Sequence, residues 1–250
     1  RFDYHRYRKF TKTALLAAIG LLVVTFIVGA VAKGAVRWIR LGPLGIQPSE
    51  FAKYALLFHI CTLISTKGEM IRDFRKGFVP MMVWIGVVTL LVVLQPNFSM
   101  ASMIGLLTMV MLIIGGVRLK HLALTAAPAI PVMAAVLVME QYRVRRIESY
   151  LQALMGEFGA GAIPYQLRQG LIAFGRGGIF GTGPGDSRQR DLFLPEAYTD
   201  FVYSIIGEEY GFVGTMFFML LFVLIMVRGF KIARYAPDVF GRNLAIAITS

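Results

Sequence analysis

Three acids stand out for their setting in the stretch LPEAYTDFVYSIIGEEYGFVG: Asp200, Glu208 and Glu209, at the mouth of or inside an apolar run long enough to cross a membrane. On a helix, Asp200, Ser204 and Glu208 follow one another at spacings of four and share a face, with Glu208 roughly 12 Å deeper at about 1.5 Å per residue. An ionisable group at that depth is costly unless it faces a polar cavity or a partner. Asp200 is therefore either a catalytic carboxylate or a carboxylate that complements the helix dipole. For Glu208 and Glu209 the expectation is a structural ion pair.

Glu50 and Lys53 form a second constellation, three residues apart in QPSEFAK, where they can pair across one helical turn. Pro48 suits a first-turn position. A buried pair breaks even at best in energy, so its presence points either to a fixed helix orientation or to a charged substrate nearby.

The third constellation is YQLRQGLIAFGRGGIFGTGPGDSRQRDLFLPEA, which interleaves glycines with Arg168, Arg176, Arg188 and Arg190. Glycine-rich backbone can cradle phosphate oxygens, and arginine binds phosphate through forked hydrogen bonds. The alternative is a solvated irregular loop. It is no dinucleotide fingerprint, because no strand precedes it. His5, His59 and His121 are scattered and form no metal cluster. His59 and the single cysteine, Cys61, lie in one apolar run and read as packing positions.

The elements that must position these groups are membrane helices. The chain of 250 residues is 57% hydrophobic and only 16% charged, which is too apolar for a soluble domain. The net charge of +12 comes from basic residues clustered in short loops, so it speaks for orientation and lipid headgroups and against nucleic acid. Spans of about 20 residues are expected over 13–32, 49–66, two within 77–117 folded at QPNFS where Pro96 breaks the helix, 122–139 and 201–227. The fold class is all-α: a single polytopic transmembrane bundle with a long extracytoplasmic loop, about 140–200, before the last span. The basic loops 1–12, 67–78, 117–121 and 228–242 alternate as cytoplasmic, which puts Glu50/Lys53, QPN and Asp200 at the outer face. The chain opens on Arg1 and stops in a new apolar run, NLAIAITS, and is expected to be an internal piece of a longer protein.

The phrases RWIRLGPLGIQPSEFAK, LQP, EQYRVRRI, YQLRQGLIAFGRGG, GDSRQRDLFLPEAYTDF and GEEYGFVG together resemble the SEDS family of bacterial shape, elongation, division and sporulation proteins (FtsW, RodA, SpoVE). The SRQ phrase is closer to the division member than to the elongation member. The resemblance covers essentially the whole chain and corresponds to spans three to eight of ten. It implies a multi-pass protein of the bacterial plasma membrane that polymerises lipid II into glycan strands, partnered by a class B penicillin-binding protein and other divisome or elongasome proteins. By motif, the family's catalytic aspartate falls on Asp200, and its functional glutamate and lysine on Glu50 and Lys53. Arg176, Ser187, Arg188, Gln189 and Asn97 become substrate-binding candidates, and Glu196, Tyr198, Thr199, Glu208 and Glu209 supporting ones. The sequence departs from the family at Tyr198, where a histidine is usual, and at Asn97, where a carboxylate is usual. Asparagine still offers a carbonyl oxygen.

In the implied reaction the 4-hydroxyl of one lipid II sugar displaces undecaprenyl pyrophosphate from the anomeric carbon of the growing chain. Asp200, with a carboxyl raised in pKa by partial burial, is the expected base. Lys53, oriented by Glu50, and Arg176 and Arg188 are the cations expected at the leaving group. The resemblance and the chemistry also admit a divalent cation, magnesium or manganese, with no organic cofactor and no ligand set legible from spacing. Two other readings remain open: a lipid II flippase, in which Glu208, Glu209 and Lys53 line the path, and a non-catalytic membrane scaffold for a transpeptidase.

Overall fold

The structure, a computed structural model, describes residues 3–28, 30–32, 35–41, 44–139, 141–155, 164–195 and 197–250. Helices occupy each of the apolar runs: α1 (His5–Val28), α2 (Pro48–Lys67), α3 (Val79–Leu94), α4 (Phe98–Ile114), α5 (Leu119–Val138) and α8 (Val202–Arg234). Among the described residues, three helical stretches are long and apolar enough to cross a membrane: His5–Ile27, Phe74–Leu94 and Val202–Arg234. The chain is an all-α membrane protein.

Two compact units are present, residues 1–126 with 226–250, and residues 127–225. In the first, α2 is the central helix. Ala52, Leu56, Ile60 and Ile64 repeat every four residues along its buried face, with Leu57 and Cys61 beside them. They pack into one apolar cluster with Leu15, Ala18 and Leu22 of α1 and Ile104, Met111 and Leu112 of α4. Pro48 sits at the start of α2, where a missing N–H costs nothing, and Glu50 in its first turn complements the dipole. His59 is held 3.3 Å from the Thr11 hydroxyl and packs edge-on to Trp84, as a packing residue does. The last helix, α9 (Val239–Thr249), buries Phe240 in the same core and is capped by Asp238, which accepts from the Gly241 amide.

The α3–α4 hairpin turns at Gln95–Asn97, and its polar side chains are used internally. Gln95 donates to the Leu22 carbonyl of α1 at 2.9 Å. Asn97 caps α4 by accepting from the Met100 amide and donates weakly to the Ser49 hydroxyl of α2, both at 3.4 Å. Between α1 and α2 three short strands pair in the order β1 (Ala30–Ala32), β2 (Ala35–Leu41), β3 (Leu44–Ile46), all antiparallel, so the last residues of the span expected over 13–32 are strand and α1 ends at Val28.

The second unit contains more regular structure than an extracytoplasmic loop. It carries two amphipathic helices, α6 (Gln141–Leu154) and α7 (Tyr165–Gly177), a π-turn over Gln189–Phe193, and the first part of α8. A small apolar cluster of Leu194, Ala197 and Ile205, with Phe201 against it, ties the turn before α8 to the helix.

Candidate functional site

α8 is not a continuous helix. Gly211 sits at φ 66° and ψ −163°, a conformation outside the reach of most side chains, and the helix breaks there. A break inside an apolar segment strands backbone groups that must find partners. Helical bonding would join the Phe212 and Val213 amides to the Glu208 and Glu209 carbonyls. Instead Phe212 donates to the Gly178 carbonyl at 2.9 Å and Val213 to that of Ile179 at 3.1 Å, while Thr182 and Gly183 donate to the Glu208 and Glu209 carbonyls at 2.9 and 3.0 Å. The glycine-rich loop 178–183 is thus spliced into the helix. Two helical bonds are exchanged for four bonds to the loop.

The splice explains the glycines. Gly181 (φ 86°) lies against the Glu209 carbonyl and Gly211 against the backbone of Ile179 and Gly181, so a Cβ at either would collide with main chain. On α7, Gly177 faces the Gly207 carbonyl and Gly170 faces Ser204 and Phe201, which lets the helices approach closely. The Thr182 and Gly183 amides, which a phosphate cradle would need, are occupied by α8 carbonyls. These two amides are therefore not free to cradle a phosphate, while Gly178, Ile179 and Phe180 of the same loop are exposed.

Above the splice sits a buried carboxylate. The Glu208 side chain is wholly inaccessible and accepts from Arg176 Nη1 at 2.7 Å, Ser187 Oγ at 2.5 Å and the Gln189 amide at 3.2 Å. Ser187 also accepts from the Arg190 amide at 3.1 Å, which links this network to the next one. Arg190 in turn binds Glu209 at 2.8 Å, Asp191 at 2.7 Å and the Gly185 carbonyl at 2.9 Å. Its hydrogen bond to Asp191 holds that carboxyl below its usual range. The structural pairing expected for Glu208 and Glu209 is therefore present, each acid with its own arginine. Arg190 was named from the sequence only as one of four arginines of the glycine-rich segment, and the structure shows it as the partner of Glu209.

Arg176 was expected to face a leaving group, but its guanidinium is bonded to Glu208. Ser187 and Gln189 are buried in the same network, at 1% and 6% exposure. Arg188 and Arg168 are exposed and make no ion pair among the described residues. Asp200 closes the turn before α8 and is exposed, not partly buried as the sequence suggested, and among the described residues it makes no ion pair. Tyr198 beside it is 80% exposed, Thr199 is exposed as well, and Glu196 lies outside the described residues.

In the first unit, Lys53 Nζ lies 2.7 Å from Glu50 Oε2 and 4.7 Å from the centroid of the Tyr54 ring. The lysine side chain is 9% exposed and the glutamate 42%. The pair is asymmetric: a nearly buried ammonium depends on a carboxylate that water also reaches.

Among the described residues no three His, Cys, Asp or Glu side chains are placed to hold a metal ion, and the carboxylates of Glu208 and Glu209 already bind arginines. Glu208 and Glu209 are therefore held by arginines and are not free to act as cation ligands.

The family described as "Cell cycle protein", comprising FtsW, RodA and SpoVE, matches residues 1–250. The probable peptidoglycan glycosyltransferase FtsW of Geobacter sulfurreducens is 36% identical over 252 residues, covering 100% of this chain and 67% of the relative. Stage V sporulation protein E of Bacillus subtilis is 36% identical over 250 residues, 99% of this chain and 68% of the relative. A solved structure described as a peptidoglycan synthase complex coordinating polymerization and crosslinking has TM-score 0.74 at 26% identity, over 99% of this chain and 68% of that one. The rod shape determining protein RodA of Thermus thermophilus has TM-score 0.65 at 22% identity, over 99% of this chain and 64% of RodA, a likeness of fold. The chain thus spans about two thirds of the length of these proteins.

Proposed function

Because the chain belongs to the FtsW, RodA and SpoVE family of cell cycle proteins, we propose that it is the membrane core of a peptidoglycan glycosyltransferase. It polymerises lipid II at the outer face of the bacterial plasma membrane during division or elongation. The relatives named as probable peptidoglycan glycosyltransferases support this reading. The observation that carries it is the contrast among the acids near α8. Glu208, Glu209 and Asp191 are each bound by an arginine, whereas Asp200 is exposed and makes no ion pair among the described residues.

Asp200 accepts the proton of the sugar 4-hydroxyl as its oxygen forms the bond to the anomeric carbon and the bond to undecaprenyl pyrophosphate breaks. A positioned base of this kind contributes typically ~10²–10⁴-fold. The developing charge on the pyrophosphate needs a cation, and Arg188 supplies it from this unit while Arg176 stays with Glu208. In the first unit Lys53 stays with Glu50, as Arg176 stays with Glu208, and Asn97 holds the α3–α4 turn. The partner is a class B penicillin-binding protein, in keeping with the synthase complex among the similar structures. The test is glycan synthesis by the purified full-length protein from labelled lipid II, with Asp200→Asn as the inactive comparison.

One observation favours a lipid flippase: broken helices line substrate sites in many transporters, and α8 is broken at Gly211. Against it, the backbone groups freed by the break are bonded to loop 178–183 and are not left facing a cavity. Transfer of labelled lipid II across liposomes without glycan products would establish the flippase instead.

A further inference from the structure

Beyond the base and the cations, we propose that Glu208 is a positioning residue for the transferase reaction: it latches loop 178–190 into the break of α8, and the latched loop sets the placement of Arg188 and of the turn carrying Asp200. This inference rests on the glycosyltransferase reading.

The geometry runs outward from the buried acid. Glu208 binds both ends of the loop, through Arg176 just before it and through Ser187 and the Gln189 amide near its end. The residue between the last two contacts is Arg188, so the backbone carrying the exposed guanidinium is fixed on both sides. From Gln189 the π-turn leads directly into Leu194 and Ala197, whose burial against Ile205 seats the turn that ends at Asp200. The carbonyl of Glu208 belongs to the splice and its carboxylate to the latch, so a single residue couples the helix break to the loop. Thr182 strengthens the coupling, its hydroxyl lying 3.2 Å from the Glu208 carbonyl and 2.9 Å from that of Asp186. Ser187 and the Gln189 amide share Oε2 whereas Arg176 binds Oε1, so an amide oxygen at 208 can keep the first two bonds only by turning its NH2 group toward the Arg176 guanidinium, donor against donor, with the ionic attraction lost.

The experiment compares wild type, Glu208→Gln, Ser187→Ala and Asp200→Asn of the full-length protein in two readouts: lipid II polymerisation kinetics, and hydrogen exchange at the Thr182, Gly183, Phe212 and Val213 amides. Glu208→Gln is expected to lower kcat by about tenfold or more with little change in KM, as for loss of an interaction expressed in the transition state, and to speed exchange at all four amides. Ser187→Ala removes one donor and is expected to do the same more weakly, which keeps the test open if Glu208→Gln fails to fold. Asp200→Asn is expected to abolish kcat with exchange unchanged. Unchanged kcat in Glu208→Gln overturns the proposal, and so does a loss of kcat with unaltered exchange, which would place Glu208 at the substrate. If wild type makes no glycan, the transferase reading falls and the positioning role with it; the exchange data still decide whether Glu208 latches the loop.

Discussion

The Arg176 guanidinium lies 2.7 Å from the carboxylate of Glu208, a side chain with no solvent exposure, across 32 residues of sequence. Removing one member of a buried pair leaves an uncompensated charge, at a cost of about 3–5 kcal/mol. Because Arg176 is 29% exposed and Ser187 still binds the acid, Arg176→Ala should fall toward the lower end of that range, read as a drop in the detergent-solubilised melting temperature. An unchanged melting temperature with a raised KM for lipid II would return Arg176 to the substrate.

Gly211→Ala tests the broken helix. The φ of 66° alone costs a side chain about 1–3 kcal/mol, and the added Cβ also meets the Gly181 and Ile179 backbone. The variant should be destabilised and should lose exchange protection at Thr182 and Gly183. Wild-type stability and protection would mean that α8 runs straight through this position.

The Glu50–Lys53 pair predicts an order of effects. Glu50→Ala strands an ammonium that is 9% exposed, and an unsatisfied buried donor costs about 1–3 kcal/mol, more when charged. Lys53→Ala leaves a carboxylate that water already reaches. Thermal unfolding should therefore rank Glu50→Ala as the more destabilising change, and the reverse order would contradict the asymmetry of the pair.

Asp73 gives a pH dependence outside the membrane segments. It caps the π-turn over Phe74–Phe78 that precedes α3 by accepting from the Lys76 amide at 2.7 Å, and that bond is the main reason its carboxyl is held below the usual value of 3.8. A depressed carboxyl contributes stability that is present above the unfolded value and lost as pH falls through the folded one. Protection of the Lys76 amide, corrected for intrinsic exchange, should be equal at pH 7 and pH 5 and fall only below about pH 4. Asp73→Asn should flatten that dependence; a transition near neutrality would contradict the assignment.

The helices were legible because each apolar run is long and Pro96 divides the one run too long for a single span. The Glu50–Lys53 pair was legible because spacing of three fixes a meeting on any helix. The break in α8 was not: the two glutamates of FVYSIIGEEYGFVG mark a polar spot but not a break at Gly211, and glycines in a membrane helix serve close packing as readily as a break. What decides at Gly211 is a loop some thirty residues earlier that supplies replacement hydrogen bonds, a tertiary fact with no local signal. The roles of the arginines were hidden in the same way. Composition offers four, and only the fold assigns Arg176 and Arg190 to acids while leaving Arg168 and Arg188 exposed. The short sheet over 30–46 was missed because its strands are only three to seven residues long.

The most direct measurement is the rate at which the purified full-length protein converts lipid II to glycan strands, compared between wild type, Asp200→Asn and Asp200→Ala. Both variants should lose at least about 10²-fold in rate while retaining the wild-type melting temperature, because the Asp200 side chain is exposed. Glycan strands made at the wild-type rate by both variants would contradict the assignment of Asp200 as the base.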